Sequence, residues 1–131
     1  MRYMLDTNMI SAIVCEPQGK VFQKLQEVGE GNVFTSIIVH GEVWYGVRKR
    51  GSDELAQKVS NVTKRLHVAP FTMPADLRYA EVRLALRKGL NIGPNDLWIA
   101  AHALALDAVL VTANESEFSR VPGLKIENWL R

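Results

Sequence analysis

Short apolar runs alternate with amphipathic segments along the whole chain. Val21, Phe22, Leu25 and Val28 recur at helical spacing, which predicts a helix over residues 19–28. Residues 109–112, in contrast, form a short uninterrupted run of β-favouring side chains. The same two patterns divide the rest of the chain, and glycine or proline stands at most of the boundaries between them.

The predicted elements alternate between strand and helix. The predicted strands cover residues 2–5, 33–37, 67–71, 109–112 and 124–127. The predicted helices cover residues 8–14, 19–28, 38–49, 53–66 with Ser52 as N-cap, 75–88 and 96–106. This alternation predicts an α/β fold with a mainly parallel central sheet flanked by helices and joined by right-handed crossovers. We expect one domain over residues 1–131.

Polar side chains follow several of the predicted strands. Sheets of this class bind ligands outside the carboxyl ends of their strands. Asp6 follows the first strand directly, and Asn114 follows the strand at 109–112, with Glu115 and Glu117 close behind. Asp6 is also a natural N-cap residue, and the two interpretations are compatible. We interpret Glu115 as part of a polar loop, whereas Asn114 and Glu117 remain candidates for the site.

Glu42 lies on a helix whose apolar residues surround most of its axis on a helical wheel. The pattern predicts a largely buried helix. An unpaired buried carboxylate is unfavourable, so Glu42 must pair, become protonated or hold a cation. The alternatives are a structural ion pair or a position at the exposed edge of the helix, beside Lys49.

Asp96 stands at the predicted start of a helix, where a negative charge is favoured. Taken alone it is an ordinary first-turn acid. Gly93 and Pro94, shortly before Asp96, fix the approach to the helix and direct Asp96 towards the ligand crevice, although proline is also a common helix-start residue.

Three acids from distant parts of the chain, Asp6, Glu42 and Asp96, therefore map to one edge of the predicted sheet. Clustered carboxylates repel one another, and a cation is the natural compensator. Oxygen ligands without a cysteine or histidine cluster suit Mg²⁺ or Mn²⁺ better than zinc. No ligand spacing links the three histidines, which are His40, His67 and His102. We interpret His102 as a hydrogen-bonded core residue.

Composition excludes several classes of protein. Hydrophobic residues make up 47% of the 131 residues, which is enough for a hydrophobic core without disulfide bonds or structural metals. The net charge of +2 is not the strongly basic balance that is typical of nucleic-acid-binding proteins. Cys15 is the single cysteine, so no internal disulfide forms. Asp6 and Asn8 interrupt the N-terminal apolar run, which is neither a signal peptide nor a membrane span. We expect a soluble cytoplasmic protein without membrane contact.

Several segments together resemble the PIN domain and, more narrowly, the VapC toxins of type II toxin–antitoxin pairs. They are MLDTN at 4–8, the helix of Glu42, IGPNDLWIAAHA at 92–103, VTANESEF at 111–118 and RVPGLKIENW at 120–129. The resemblance covers essentially the whole chain. It implies a Rossmann-like parallel sheet and a Mg²⁺- or Mn²⁺-dependent endoribonuclease. It also implies a VapB-type antitoxin that occupies the acidic pocket, a homodimer and a higher toxin–antitoxin assembly.

The resemblance also assigns roles to the site residues. Asp6, Glu42 and Asp96 match the first three acids of the family, and Asn114 falls where many PIN domains have a fourth, so Glu117 is the nearest acid that compensates. Asp6 and Asp96 are expected to hold the metal, and Glu42 to act as a water-mediated ligand or as the base that orients the nucleophile. Hydrolysis of RNA, with tRNA or another structured RNA as the substrate, is expected to leave a 5′-phosphate and a 3′-hydroxyl. A polar second layer is expected from Thr7, Asn8, Thr112, Asn114 and Glu117. Asn114 is also expected at the fourth catalytic position, where it positions a water or binds the metal weakly.

Basic side chains near predicted helix ends are candidates for RNA contact, although each is also typical of a solvated helix face. They are Arg48, Lys49, Arg50, Arg87 and Lys88. A receiver domain is disfavoured because the late strand at 109–112 is followed by Ala113 and Asn114 with no lysine close behind. A haloacid-dehalogenase phosphatase is disfavoured because Asp6-Thr7-Asn8 lacks a second acid. A catalytically silent PIN-like module that docks an arginine of a partner remains the alternative function.

Overall fold

Five parallel strands form one sheet in the order β3-β2-β1-β4-β5. The computed structural model describes residues 1–87, 89 and 91–131. The strands are β1 (Tyr3–Leu5), β2 (Val33–Ser36), β3 (His67–Ala69), β4 (Val109–Val111) and β5 (Ile126–Glu127). Every pairing in this sheet is parallel. The predicted α/β class is confirmed.

Helices connect the strands. They are α1 (Thr7–Cys15), α2 (Lys20–Val28), α3 (Ile37–Arg50), α4 (Asp53–Thr63), α5 (Ala75–Ala85), α6 (Pro94–Ala105) and α7 (Glu115–Phe118), with one 3₁₀ turn at Glu30–Asn32. The structure confirms the predicted N-cap of α4 at Ser52, because the Ser52 Oγ accepts a hydrogen bond from the backbone N–H of Leu55 at 3.1 Å. α6 begins at Pro94 rather than at the predicted Asp96, because the backbone φ of proline suits the first helical position.

The strands at the centre of the sheet end level with one another. Leu5 of β1 is in register with Thr35 of β2 and with Val111 of β4. The chain moves outward from β1 through β2 to β3, and then returns to the other side of β1 for β4 and β5. A crevice forms at such a reversal point. Residues that leave β1 and β4, beginning with Asp6 and Thr112, therefore meet at one edge.

The core beneath this edge is closely packed. Met4, Leu5 and Leu110 of the central strands are fully buried, as are Met9 and Ile10 of α1. Each such side chain contributes about 1.5–3 kcal/mol through burial. Because apolar residues lie directly before Asp6 and Thr112, the polar side chains at the edge stand on a rigid base.

α3 is less buried than the sequence predicts. Only Val39, Val43 and Val47 are buried along it, whereas Ile37 is 47% and Tyr45 is 68% exposed. The three valines recur every four residues, so they form one stripe that packs towards the protein. The prediction of a largely buried helix is wrong, because the apolar residues on the rest of the wheel border an open cleft.

The predicted helix over 75–88 ends at Ala85 in the structure, and Lys88 lies outside the described residues. Within the described part of the chain, no helix is long and apolar enough to cross a membrane.

Candidate active site

Asp6 joins the end of β1 to the start of α1. Its Oδ1 accepts a hydrogen bond from the backbone N–H of Thr7 at 2.8 Å, and its Oδ2 accepts one from Thr112 Oγ1 at 2.7 Å. Burial raises the pKa of Asp6, while these two donors lower it. Glu42 and Glu117 add a raising effect through their negative charge. Asp6 is thus an N-cap and also a buried acid of the crevice.

The loop after β4 is fastened to the first turn of α1. The backbone N–H of Ala113 donates to Asn8 Oδ1 at 3.1 Å. The backbone N–H of Asn114 donates to Thr112 Oγ1 at 3.0 Å, and the same hydroxyl donates to Asp6. The structure therefore brings the predicted polar residues Asn8 and Thr112 together around Asp6.

Glu42 extends from α3 between the first turns of two other helices. Thr7 Oγ1 donates to Glu42 Oε1 at 2.8 Å, and Asn95 Nδ2 donates to Glu42 Oε2 at 2.9 Å. None of the salt bridges in the described part of the chain involves Glu42. Glu42 is half-buried, and its partners are neutral donors rather than the cation of a structural ion pair.

Asp96 lies in the first turn of α6 and is half-buried. Burial raises its pKa to about 7, and the charges of Glu117, Asp6 and Glu42 act in the same direction. Asp96 also shares a hydrogen bond with Glu117, whose own pKa is lowered. Of these two acids, Asp96 is therefore the one that takes up a proton more readily in the metal-free protein.

Glu117 is held by donors from two sides. The backbone N–H of Gly93 donates to Oε1 at 2.6 Å, and Asn114 Nδ2 donates to Oε2 at 2.7 Å. These contacts lower the pKa of Glu117, with the Gly93 N–H contributing most. Asn114 itself supplies no charge. It supports Glu117, which brings a fourth carboxylate to Asp96.

One open cleft of about 760 Å³ collects these groups. Acidic and amide side chains form one part of its wall, and Ile37, Ile38 and Tyr45 form another. We call this space the acidic cleft, lined by Asp6, Thr7, Asn8, Ile37, Ile38, Gly41, Glu42, Tyr45, Asn95, Asp96 and Asn114. Glu115 is directed elsewhere: its Oε2 accepts from Asn128 Nδ2 at 3.0 Å and contacts Arg131 at 2.6 Å.

The PIN domain family model matches residues 3–124. The chain belongs to the PIN-domain family. It is 40% identical to ribonuclease VapC2 of Rickettsia felis over 98% of both chains. It is 31% identical to the tRNA(fMet)-specific endonuclease VapC of Salmonella typhimurium, again over 98% of both. The solved VapBC2 of Rickettsia felis bound to a promoter DNA fragment contains a chain with a TM-score of 0.90 and 38% identity, covering 98% of this chain and 99% of that one.

A PIN domain with these acids fits a hard divalent cation. No three His, Cys, Asp or Glu side chains in residues 1–87, 89 and 91–131 are grouped closely enough to hold one ion directly. Mg²⁺, however, retains several waters and is commonly bound through only one or two carboxylates. The mutual repulsion that raises the pKa of Asp96 is relieved by a positive charge between the acids.

The predicted basic residues are distributed unevenly around this PIN domain. Arg48, Lys49 and Arg50 are exposed in the last turn of α3, the helix that also carries Glu42. Arg87 is exposed and lines a different groove, with Tyr79 and Arg83. The predicted contact at Lys88 lies outside the described residues.

Sequence reasoning missed Asn95. The residue is exposed and directly precedes Asp96, and its side-chain amide reaches Glu42 across the cleft. The available signal was its place beside Asp96 in the first turn of α6, because the side chains of this turn lie at the edge of the sheet where ligands are expected. His102, by contrast, is 1% exposed and hydrogen-bonded in the core, which confirms the prediction made for it.

Proposed function

We propose that this PIN domain is a Mg²⁺- or Mn²⁺-dependent endoribonuclease and the toxin of a VapBC-type toxin–antitoxin pair. The observation that carries the proposal is the meeting of Asp6, Glu42, Asp96 and Glu117 at one edge of the sheet, with the pKa of Asp96 raised to about 7. In the described part of the chain, none of these four acids forms a salt bridge, and Arg120 lowers the pKa of Glu117 only through its charge. Their mutual repulsion is unfavourable for the fold alone. Such an arrangement is typical of a functional site.

Asp6 and Asp96 are the residues that would hold the ion. A bound divalent ion lowers the pKa of a water ligand and neutralises charge on a phosphodiester. Asp6 is kept in place by Thr7 and Thr112, and its carboxylate retains lone pairs for a ligand. Glu117 and Asn114 act one layer behind and keep Asp96 directed into the acidic cleft.

RNA is the proposed substrate, because the relatives are named as ribonucleases and one as a tRNA-specific endonuclease. The cleft is open, which suits a polymer that enters and leaves from the side. Arg48, Lys49 and Arg50 at the end of α3 supply positive charge for the phosphates. We propose hydrolysis that uses water as the nucleophile and leaves a 5′-phosphate and a 3′-hydroxyl, with tRNA or another structured RNA as substrate.

A VapB-type antitoxin is the proposed protein partner. The similar solved structures include VapBC complexes from Rickettsia felis, Haemophilus influenzae and Salmonella typhimurium. An arginine that enters the acidic cleft would replace the charge of the metal and form paired hydrogen bonds with the carboxylates. We also propose that the chain forms a homodimer within a larger toxin–antitoxin assembly, and that it acts in the cytoplasm.

Replacing Asp96 with asparagine tests the proposal. The change keeps the shape of the side chain and removes its charge. We expect Mn²⁺-dependent cleavage of total tRNA to fall by at least about 100-fold, the scale on which a charge-stabilising group contributes to catalysis, and growth inhibition to fall with it. Asp76→Asn is the matched control, because Asp76 is an exposed acid in the first turn of α5.

The alternative is a silent module whose acidic cleft only docks an arginine. Calorimetry with Mn²⁺ on the partner-free protein separates the two functions. The nuclease requires Mn²⁺ binding that Asp96→Asn weakens and Asp76→Asn preserves. Absence of Mn²⁺ binding in the folded wild-type chain would overturn the nuclease proposal, whereas undiminished cleavage by a folded Asp96→Asn would overturn the assignment of the site.

A further inference from the structure

Both carboxylate oxygens of Glu42 are already engaged by donors from other helices. Thr7 Oγ1 donates to Oε1 at 2.8 Å and Asn95 Nδ2 donates to Oε2 at 2.9 Å. Both distances are those of well-formed hydrogen bonds. With one donor on each oxygen, the plane and the direction of the carboxylate are fixed, although Glu has three rotatable side-chain bonds.

The two donors are the sequence neighbours of the two proposed metal-holding acids. Thr7 follows Asp6 at the start of α1, and Asn95 precedes Asp96 at the start of α6. Each of these helix starts therefore presents one acid to the cleft and one donor to Glu42. The position of Glu42 relative to both acids is consequently set by the same backbone that sets the acids.

We propose that Asn95 is a positioning residue that, together with Thr7, clamps Glu42 in one orientation relative to Asp6 and Asp96. This inference rests on the proposed function, because it concerns how Glu42 is held for the reaction in the acidic cleft. A carboxylate held on both oxygens still accepts a further hydrogen bond from water through its remaining lone pairs. Asp6 likewise has one donor on each oxygen, so contacts of this kind orient a carboxylate and leave lone pairs free for a ligand.

A purely structural role does not explain the Asn95 contact. Asn95 is exposed, and its hydrogen bond to Glu42 is solvent-accessible. Exposed contacts of this kind add little to the stability of the fold, whereas the orientation of a reacting group depends on them strongly. Removing a side chain that orients a reacting group is expected to lower activity by about 10–100-fold.

The first experiment compares Asn95→Ala and Asn95→Asp with wild type in steady-state cleavage of one transcribed tRNA that wild type cleaves. For Asn95→Ala we expect kcat to fall about 10–100-fold, with KM and the melting temperature unchanged. Asn95→Asp places a second carboxylate against Glu42 Oε2, so we expect a larger loss of kcat than for Asn95→Ala. Asn61→Ala and Asn61→Asp are matched controls, because Asn61 is an exposed helical asparagine on α4 outside the acidic cleft.

The second experiment tests the other arm of the clamp. Thr7→Val keeps the shape of the side chain and removes the hydroxyl, whereas Thr7→Ser keeps the hydroxyl. We expect Thr7→Val to lower kcat and Thr7→Ser to retain most of it. Equal losses in the two variants would show that Thr7 acts through packing rather than through its hydrogen bond to Glu42.

A third measurement needs neither metal nor activity. In the metal-free protein, NMR of the Asn95 side-chain amide is compared between wild type and Glu42→Gln. We expect the Asn95 amide signals to move while those of Asn61 stay in place. Unmoved Asn95 signals, or wild-type kcat in Asn95→Ala, overturn the clamp. If wild type cleaves no RNA, the proposed function fails, and the NMR comparison still decides whether the clamp exists.

Discussion

Two polar residues of α6 have opposite environments. His102, in the last turn of the helix, is 1% exposed, and each ring nitrogen has a partner: Ser36 Oγ at 2.7 Å and the Pro70 carbonyl oxygen at 3.1 Å. Burial lowers its pKa, so the ring is neutral near pH 7. Asp96, at the start of the helix, is surrounded by other acids, and burial together with their charge raises its pKa.

The difference separates a polar residue whose contacts stabilise the fold, His102, from one that we propose takes part in the chemistry of the acidic cleft, Asp96. In the part of the chain that the structure describes, no buried side-chain nitrogen or oxygen lacks a hydrogen-bond partner. The unfavourable feature of the acidic cleft is therefore uncompensated charge and not missing hydrogen bonds. Full pairing indicates a structural role, and an unmatched charge indicates a place for a ligand.

The two environments are also connected. Ser36 Oγ, which contacts His102, accepts a hydrogen bond from the backbone N–H of Ile38 at 3.0 Å and thereby caps α3. His102 thus links α6, which carries Asp96, to the start of α3, which carries Glu42. The neutral buried contact holds together the two helices whose acids repel each other.

The largest expected effect lies on the charged side of this comparison. Glu117→Gln removes the fourth negative charge, and we expect a fall in cleavage of about 10²–10³-fold, as for the loss of one preorganised electrostatic group. Asn114→Ala removes only the support of Glu117 Oε2, so a smaller loss is expected. Cleavage of the same tRNA by both variants measures this. An equal or larger loss in Asn114→Ala would assign the fourth position to the asparagine itself.

The next largest effect is expected at His102, the neutral residue of the comparison. His102→Ala leaves a cavity and removes the ring that hydrogen-bonds to Ser36 and to the Pro70 carbonyl oxygen. We expect the free energy of unfolding to fall by about 3 kcal/mol. Urea denaturation measures this loss. His67→Ala is the control, because His67 is exposed on β3. A loss within about 0.5 kcal/mol, the range of ordinary surface substitutions, would contradict the structural role of His102.

Metal binding should raise the free energy of unfolding through the acids of the acidic cleft. At a Mn²⁺ concentration of 100 times its Kd, the wild-type protein is expected to gain about 2.7 kcal/mol of stability. Asp96→Asn should gain much less at the same concentration, whereas His67→Ala should gain as much as wild type. Thermal unfolding with and without Mn²⁺ measures the difference. Equal stabilisation of wild type and Asp96→Asn would place the metal elsewhere.

The smallest expected effect is a pH dependence of the metal-free protein. The pKa of Asp96 rises from 3.8 in the unfolded chain to about 7 in the folded one. The folded state therefore binds more protons than the unfolded state between these values, so this group makes the free energy of unfolding fall as pH rises from about 4 to about 7. Urea denaturation across this range should show a shallower fall for Asp96→Asn than for Asp76→Asn, and identical pH profiles would contradict the shifted pKa.

The sequence predicted much of the site for two local reasons. Asp6 follows a buried strand directly, and Asp96 stands in the first turn of a helix, so the parallel topology alone brings them to one edge. Glu42 was identified through a premise that proved wrong, since α3 is buried only along Val39, Val43 and Val47. Its membership of the site depends on the opening of the cleft beside that stripe.

The alternation of strands and helices, the mainly parallel sheet and the hydrogen-bonded core histidine were determined by the sequence itself, because the periodicity of apolar residues is a local property. Tertiary structure alone decided that Glu117 reaches Gly93, 24 residues away, and that Asn95 reaches Glu42, 53 residues away. These contacts depend on how closely separate helix starts approach one another. A one-dimensional pattern shows which face a residue occupies, but the distance between two faces is fixed only when the core between them is packed.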